Sequence, residues 1–323
     1  MIEVEHLTKY YGDHLAIDDL SFNIEDGHVY GLLGPNGAGK STTMNILTGC
    51  LSLSEGIVKI DGYDILENSE NAKRQIGYLP EQPPLYLNET VDEYLNFVGE
   101  AKGVKGNNLK AEIDEIIEKV GLKEVRDRLI SKLSKGYKQR VGIAQALLGS
   151  PKIIILDEPT VGLDPIQIIE IRELIKSLGK DHTVILSSHI LSEVQAICEK
   201  VLIISKGKLV AYDTPENLEK LMLRSGGIIF EVKASFENIK DVLSNIAGIK
   251  DFNITIENDT SEVEVSLNDG VDVKEICGNI TMAFAKKDIA VFEMHVEKAS
   301  LEDVFLELTE TKESEADNND RNI

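Results

Sequence analysis

The chain has 323 residues, 42% of them hydrophobic, with no tryptophan and only 5% aromatic side chains. That length suggests two domains, and their cores must be built from aliphatic side chains. The formal net charge of −22 argues against a nucleic-acid partner, because phosphate backbones demand basic surfaces.

Residues 1–28 alternate between apolar and polar (Ile2 and Val4, then Ala16-Ile17 and Leu20 to Ile24). The alternation predicts antiparallel strands with turns near Gly12-Asp13 and Asp26-Gly27. Residues 29–33 predict a buried strand. It runs into Gly34-Pro35-Asn36-Gly37-Ala38-Gly39-Lys40-Ser41-Thr42, which matches the phosphate-cradling P-loop, G-x-x-x-x-G-K-[ST]. The glycines let the backbone wrap around phosphate oxygens and point N–H groups at them. Lys40 is placed to reach the β- and γ-phosphates of ATP, and Ser41 to offer its hydroxyl to Mg²⁺. A helix over residues 42–49 leaves the loop with its N-terminus toward the phosphates. Residues 57–60 add a strand before the Asp61-Gly62 turn.

Residues 88–150 look helical, with Ile113, Ile116, Ile117 and Val120 at helix spacing. Residues 153–156 and 183–187 are continuous apolar, β-branched runs that suit central parallel strands, joined by a helix over residues 166–178. Asp157 and Glu158 end the first run. Asp157 is a candidate Mg²⁺ ligand and Glu158 a candidate general base for an attacking water. Two acids at the end of a core strand are costly to desolvate without cations. Residues 201–204 and 208–211 predict a hairpin and 218–223 a closing helix.

The stretch Arg224-Ser225-Gly226-Gly227 is the candidate domain boundary. Beyond it the pattern restarts as strand, helix, two strands around Asn258-Asp259, helix and strand, ending at residue 296. This βαββαβ order fits a ferredoxin-like split fold. A last helix is expected over residues 300–309, with Ser300 as N-cap and Asp303 as its capping-box partner. Residues 311–323 are acidic, almost without apolar side chains, and expected to be disordered. The expected division is a nucleotide-binding domain at 1–223, an accessory α+β domain at 228–310 and a tail at 311–323. No apolar run reaches the ~18 residues of a membrane span. The N-terminus lacks the basic and apolar regions of a signal peptide. Cys50, Cys198 and Cys277 lack metal-ligand spacing and suit a reducing compartment.

A P-loop alone is shared by many enzymes. Leu133-Ser134-Lys135-Gly136-Tyr137-Lys138-Gln139-Arg140, preceding a helix at 141–148, narrows the choice. It resembles the L-S-G-G-Q signature of ATP-binding cassette (ABC) proteins, with Lys135 in place of a glycine and Tyr137 in place of glutamine. Motif order agrees with that family over residues 1 to 222. The resemblance implies a P-loop α/β ATPase with a mixed sheet core, an antiparallel β subdomain and a helical subdomain. It implies that Gln82 senses Mg²⁺ and the attacking water, that His189 is the switch histidine beside Glu158, and that Tyr11 stacks on adenine. It further implies that ATP is sandwiched head to tail between two such chains, in a homodimer or heterodimer. Ser134 and Gly136 of one chain then face the phosphates held by the other, and Asp164 crosses the interface. The segment after Gln82, with Leu85-Tyr86-Leu87, would contact a membrane-spanning partner. The ending Ser300-Leu301-Glu302-Asp303-Val304-Phe305-Leu306-Glu307-Leu308-Thr309 resembles that of ATPases paired with ABC-2-type permeases, mostly exporters. The expected protein is thus a cytoplasmic ATPase held peripherally at the membrane by its permease. The alternative is a soluble ABC ATPase acting on ribosomes or nucleic acid. The single cassette and the acidic charge count against it.

Overall fold

The computed structural model describes residues 1–222, 227–257, 260–268 and 270–296. They form two compact units that divide between Pro215 and Glu216. The expected turn at Asn258-Asp259, the Arg224-Ser225-Gly226 part of the boundary stretch, the helix at 300–309 and the acidic tail lie outside the described residues.

In the first unit, β1 (Ile2–Tyr11) and β2 (His14–Ile24) pair antiparallel. Their apolar positions, among them Ile2, Val4, Leu20, Phe22 and Ile24, are buried, as the alternation requires of half-buried strands. β3 (Val29–Leu33) is buried throughout and leads through the glycine-rich loop into α1 (Lys40–Leu47). β4 (Glu55–Ile60) and β5 (Tyr63–Asp64) complete an antiparallel sheet of order β2-β1-β4-β5. α2 (Ser69–Arg74) then precedes β6 (Ile76–Leu79).

A helical region follows with α3 (Val91–Ala101), α4 (Gly106–Val120) and α5 (Lys135–Leu147). α3 starts at a capping box: Thr90 Oγ1 accepts from the Glu93 N–H at 3.2 Å, and Glu93 Oε2 accepts from the Thr90 N–H at 2.9 Å. α4 stops at Gly121, whose φ of 72° is left-handed, so the helical stretch predicted over 88–150 is broken before the signature motif. The end of α5 is held from a distance, where Lys102 Nζ donates to the carbonyls of Gln145, Ala146 and Leu148. Helix ends leave such carbonyls without partners of their own.

β7 (Ile153–Asp157), α6 (Pro165–Leu178), β8 (Thr183–Ser187), α7 (Leu191–Ile197), β9 (Lys200–Ser205) and β10 (Lys208–Asp213) complete the unit. The second sheet has the order β10-β9-β3-β8-β7-β6 and is parallel except for β10. Its register sets Leu32 beside Ser187 and Ser187 beside Asp157. The exit of the P-loop strand and the end of the acidic strand therefore share the carboxyl edge of the sheet, where parallel α/β sheets gather ligand-binding groups. One apolar core joins the two sheets through residues such as Ile2, Phe22, Tyr30, Leu32, Ile155 and Ile185.

α8 (Pro215–Met222) comes next. The second unit then runs β11 (Ile228–Val232), α9 (Phe236–Leu243), β12 (Ile249–Glu257), β13 (Thr260–Leu267), α10 (Val273–Ala285) and β14 (Val291–Val296). Its sheet order, β12-β13-β11-β14 with every pair antiparallel, is the ferredoxin-like split arrangement expected from the βαββαβ pattern. Phe230 on the sheet meets Phe284 on α10 edge to face, with centroids 5.4 Å apart, in a core closed by Ile239, Val242 and Ile280. Among the described residues no helix is long and apolar enough to cross a membrane.

Candidate nucleotide site

The loop after β3 takes backbone conformations that side chains resist. Gly37 has φ 80° and Gly39, the N-cap of α1, has φ 105°. No side chain caps α1, so the N–H groups of its first turn stay available to an anion. The helix begins at Lys40, two residues before its predicted start, because the left-handed glycine rather than a polar side chain sets its entry. Lys40 Nζ donates to the carbonyls of Gly34 at 2.8 Å and Pro35 at 3.2 Å. Burial holds its ammonium pKa below the usual lysine value, while Glu158 and Asp157 pull it back up.

This loop walls a cleft of about 470 Å³ lined by Tyr11, Asn36, Gly37, Gly39, Lys40, Ser41, Thr42, Glu158 and His189, together with His14, Ala16, Glu81 and Val161. Gly34 and Ala38 are buried behind it. Tyr11 is exposed at the rim, with Lys9 Nζ 5.5 Å from its ring centroid. Of the residues expected here, Gln82 is exposed and does not line the cleft; its neighbour Glu81 does.

Of the two acids, Glu158 lines the cleft and Asp157 does not. Asp157 is only 5% exposed, and its Oδ1 accepts from Ser187 Oγ at 2.5 Å. The same Ser187 oxygen accepts from the Glu158 N–H at 2.9 Å. Glu158 adopts φ 48°, a left-handed conformation that costs a non-glycine residue about 1 kcal/mol or more. Strain of that kind persists where the surroundings impose it, here through the Ser187 contact. Its Oε2 lies 2.9 Å from His189 Nδ1. A carboxylate so placed can accept a proton from a water in the cleft, and the imidazole can orient it.

A second cleft of about 510 Å³ holds Ser134, Gly136 and Asp164, beside Tyr137, Arg140 and Gln167. Ser134 is the N-cap of α5, accepting from the Tyr137 N–H at 3.4 Å. Asp164 is the N-cap of α6, accepting from the Gln167 N–H at 3.0 Å. A Cβ at Gly136 would come within 2.7 Å of the Gln167 carboxamide, which would have to move aside. Lys135 Nζ lies against Gly162, two residues before Asp164. The two clefts share no lining residue.

Sequence reasoning gave no role to His14, Glu81 or Ser187. His14 and Glu81 carry no motif signal. Ser187 was signalled only by its place at the end of a buried strand, level with Asp157.

The residues present suit Mg²⁺. Asp157 is a buried carboxylate near the Lys40 ammonium, and its oxygens are the hard donors a cation takes. Ser41 adds a hydroxyl on the cleft wall, and hard oxygen donors of this kind are what Mg²⁺ takes. Among the described residues no group of three or more His, Cys, Asp or Glu could hold a metal alone.

The fold and the cleft together define a P-loop ATPase of the cassette type, and the comparisons with known proteins agree. The ABC transporter family profile matches residues 17–161. An uncharacterized ABC transporter ATP-binding protein of Bacillus subtilis, YhcH, is 38% identical over 97% of both chains. The bacitracin transport ATP-binding protein BcrA of Bacillus licheniformis is 43% identical over 68% of this chain and 72% of its own. Among solved structures, the dimeric post-hydrolysis state of the ATP-binding cassette MJ0796 with ADP and Pi is 26% identical. It covers 66% of this chain and 98% of its own, with a TM-score of 0.59. The chain belongs to the ABC transporter ATP-binding proteins. It binds ATP with Mg²⁺ and hydrolyses ATP in transport, as a dimerising subunit that works with a membrane permease.

Proposed function

We propose that this chain drives an ABC-2-type exporter from the cytoplasmic face of the membrane, and that its ATP sites are each completed by a second cassette. The observation that carries the second half is the separation of the two clefts. The P-loop cleft lacks Ser134, Gly136 and Asp164, and the cleft that holds them lacks a P-loop.

In this account the backbone of residues 34–42 cradles the phosphates and Lys40 exchanges its loop carbonyls for phosphate oxygens. Tyr11 stacks on the adenine. Ser41 and Asp157 would hold Mg²⁺, which Gln82 could join only by moving in from outside the cleft; when bound, the ion would supply positive charge to the phosphates. Glu158 takes the proton of the attacking water, oriented by His189. Ser134, Gly136 and the α5 N-terminus of the second cassette meet the γ-phosphate, which favours a helix N-terminus. Lys135 adds a positive charge beside them. Tyr86, its ring centroid 5.2 Å from that of Phe97, and Leu87 are exposed after the Gln82 loop and supply an apolar contact for the permease.

The export reading is supported by relatives whose names concern bacitracin transport, lantibiotic transport in Streptococcus pyogenes and linearmycin resistance in Bacillus subtilis. It is also supported by the sequence of residues 300–309. An antibiotic is the cargo class that these relatives' names favour. The comparisons support transport and not action on ribosomes or nucleic acid.

Fractionation of the producing cell tests the assignment. The chain should sediment with membranes only when its permease is present, and Tyr86→Asp should release it without loss of ATP binding. Release from membranes by neither change would overturn the permease role.

A further inference from the structure

Behind the Glu158–His189 pair lies a buried polar network. Glu193, on α7, is 2% exposed. Its Oε2 accepts from Thr160 Oγ1 at 2.6 Å and from Ser188 Oγ at 3.0 Å. Its Oε1 lies 3.4 Å from Arg172 Nη2 on α6. Both that Oε1 and Arg172 Nε lack a hydrogen-bond partner among the described residues.

The network spans two elements that each carry one member of the catalytic pair. Thr160 belongs to the loop that begins at Glu158 and turns through Val161 N–H to the Glu158 carbonyl at 3.2 Å. The loop ends at Asp164, the N-cap of α6. Ser188 directly precedes His189, and its Oγ also accepts from the Ile190 N–H at 3.0 Å, so the histidine turn is closed on the same hydroxyl. One carboxylate oxygen thus bolts the loop of the base to the turn of the histidine.

Stability alone does not explain this arrangement. A buried carboxylate is expensive, and an incompletely satisfied polar network is worse for stability than an apolar core of the same shape. Neither Glu193 nor Arg172 lines the nucleotide cleft, so neither touches substrate.

We propose that Glu193 is a positioning residue for ATP hydrolysis: through Thr160 and Ser188 it fixes the loop of Glu158 against the turn of His189 and so sets the geometry of that pair. Arg172 places a positive charge 3.4 Å from the other Glu193 carboxylate oxygen. The inference rests on the assignment of Glu158 and His189 to hydrolysis. Sub-ångström placement of a base is worth large factors in rate, whereas the P-loop and Tyr11, which hold the nucleotide, make no contact with this network.

The test is steady-state ATPase kinetics on the full chain, with wild type, E193A, E193Q, T160V and H189A, each checked by thermal melting. E193A should lower kcat by about tenfold or more while KM for ATP stays within about threefold. E193Q should recover most of kcat, because a carboxamide oxygen still accepts both hydroxyls. T160V keeps the shape and removes one donor. It should lower kcat in the same sense and carries the test if E193A does not fold. The double variant E193A/H189A should be no slower than the slower single variant, within about twofold, because both act through one geometry. Wild-type kcat in T160V or E193A, parallel loss of kcat and KM, or multiplicative losses in the double variant would overturn the proposal. If H189A itself turned over normally, the assignment of the pair would fail instead, which the same data set separates.

Discussion

Ser187→Ala isolates one hydroxyl that serves both acids. In the structure Ser187 Oγ donates to Asp157 Oδ1 at 2.5 Å and accepts from the Glu158 N–H at 2.9 Å. Ser187 is fully buried and Asp157 nearly so. Losing a hydrogen bond to a charged group costs about 1.5–3 kcal/mol, and leaving a buried N–H unpaired costs about 1–3 kcal/mol. The two effects share one site and overlap, so a loss of about 2–4 kcal/mol is expected for the cassette unit. Equilibrium urea unfolding without nucleotide reads this as a lower midpoint at unchanged slope. The left-handed backbone at Glu158 also loses the contact that holds it, so ATP turnover should fall even where the variant is folded. A stability change below about 0.5 kcal/mol together with wild-type turnover would refute the account of how Glu158 is held.

Other consequences are as specific. Lys40 titrates below 10.5 before nucleotide binds, and phosphate oxygens raise its pKa again. Between those two values the bound state holds more protons, so ATP affinity falls as pH rises through this alkaline window. Calorimetry in buffers of different ionisation enthalpy should show proton uptake there, and Lys40→Met should abolish it. Gly136→Val should push Gln167 away and distort the signature cleft. Turnover should drop at least about tenfold while ATP binding to the single chain is kept; equal loss of both would place Gly136 in the P-loop cleft. Thr90→Ala should remove the N-cap of α3 and cost about 1 kcal/mol in urea unfolding, with no change in nucleotide affinity.

The parts of this structure that could be read from sequence are those with local signals. Residues 153–156 and 183–187 are strands because their short runs are rich in β-branched side chains, and both are buried along their length. The P-loop was legible because three closely spaced glycines and Lys40-Ser41 serve one chemical end. His189 was implied by the resemblance to ABC proteins, and it does meet Glu158. What stayed hidden depends on partners far along the chain. Ser187 meets Asp157 across 30 residues and Glu193 meets Thr160 across 33, and a lone serine or glutamate carries no mark of such a neighbour. Lys102 likewise looks like a surface lysine until the end of α5 is set beside it. The position of Gln82 outside the cleft, with Glu81 inside, turns on the bend of one loop, which spacing does not fix.

The central claim is that a nucleotide site is complete only when a second cassette closes on it. Light scattering on the Glu158→Gln variant with ATP and Mg²⁺ tests it most directly. The account predicts a shift from the 35.7 kDa chain to a species of about twice that mass. Adding Ser134→Arg should abolish the shift while nucleotide still binds the single chain. A dimer that forms equally well with Ser134→Arg, or one that forms without nucleotide and ignores it, would contradict the account.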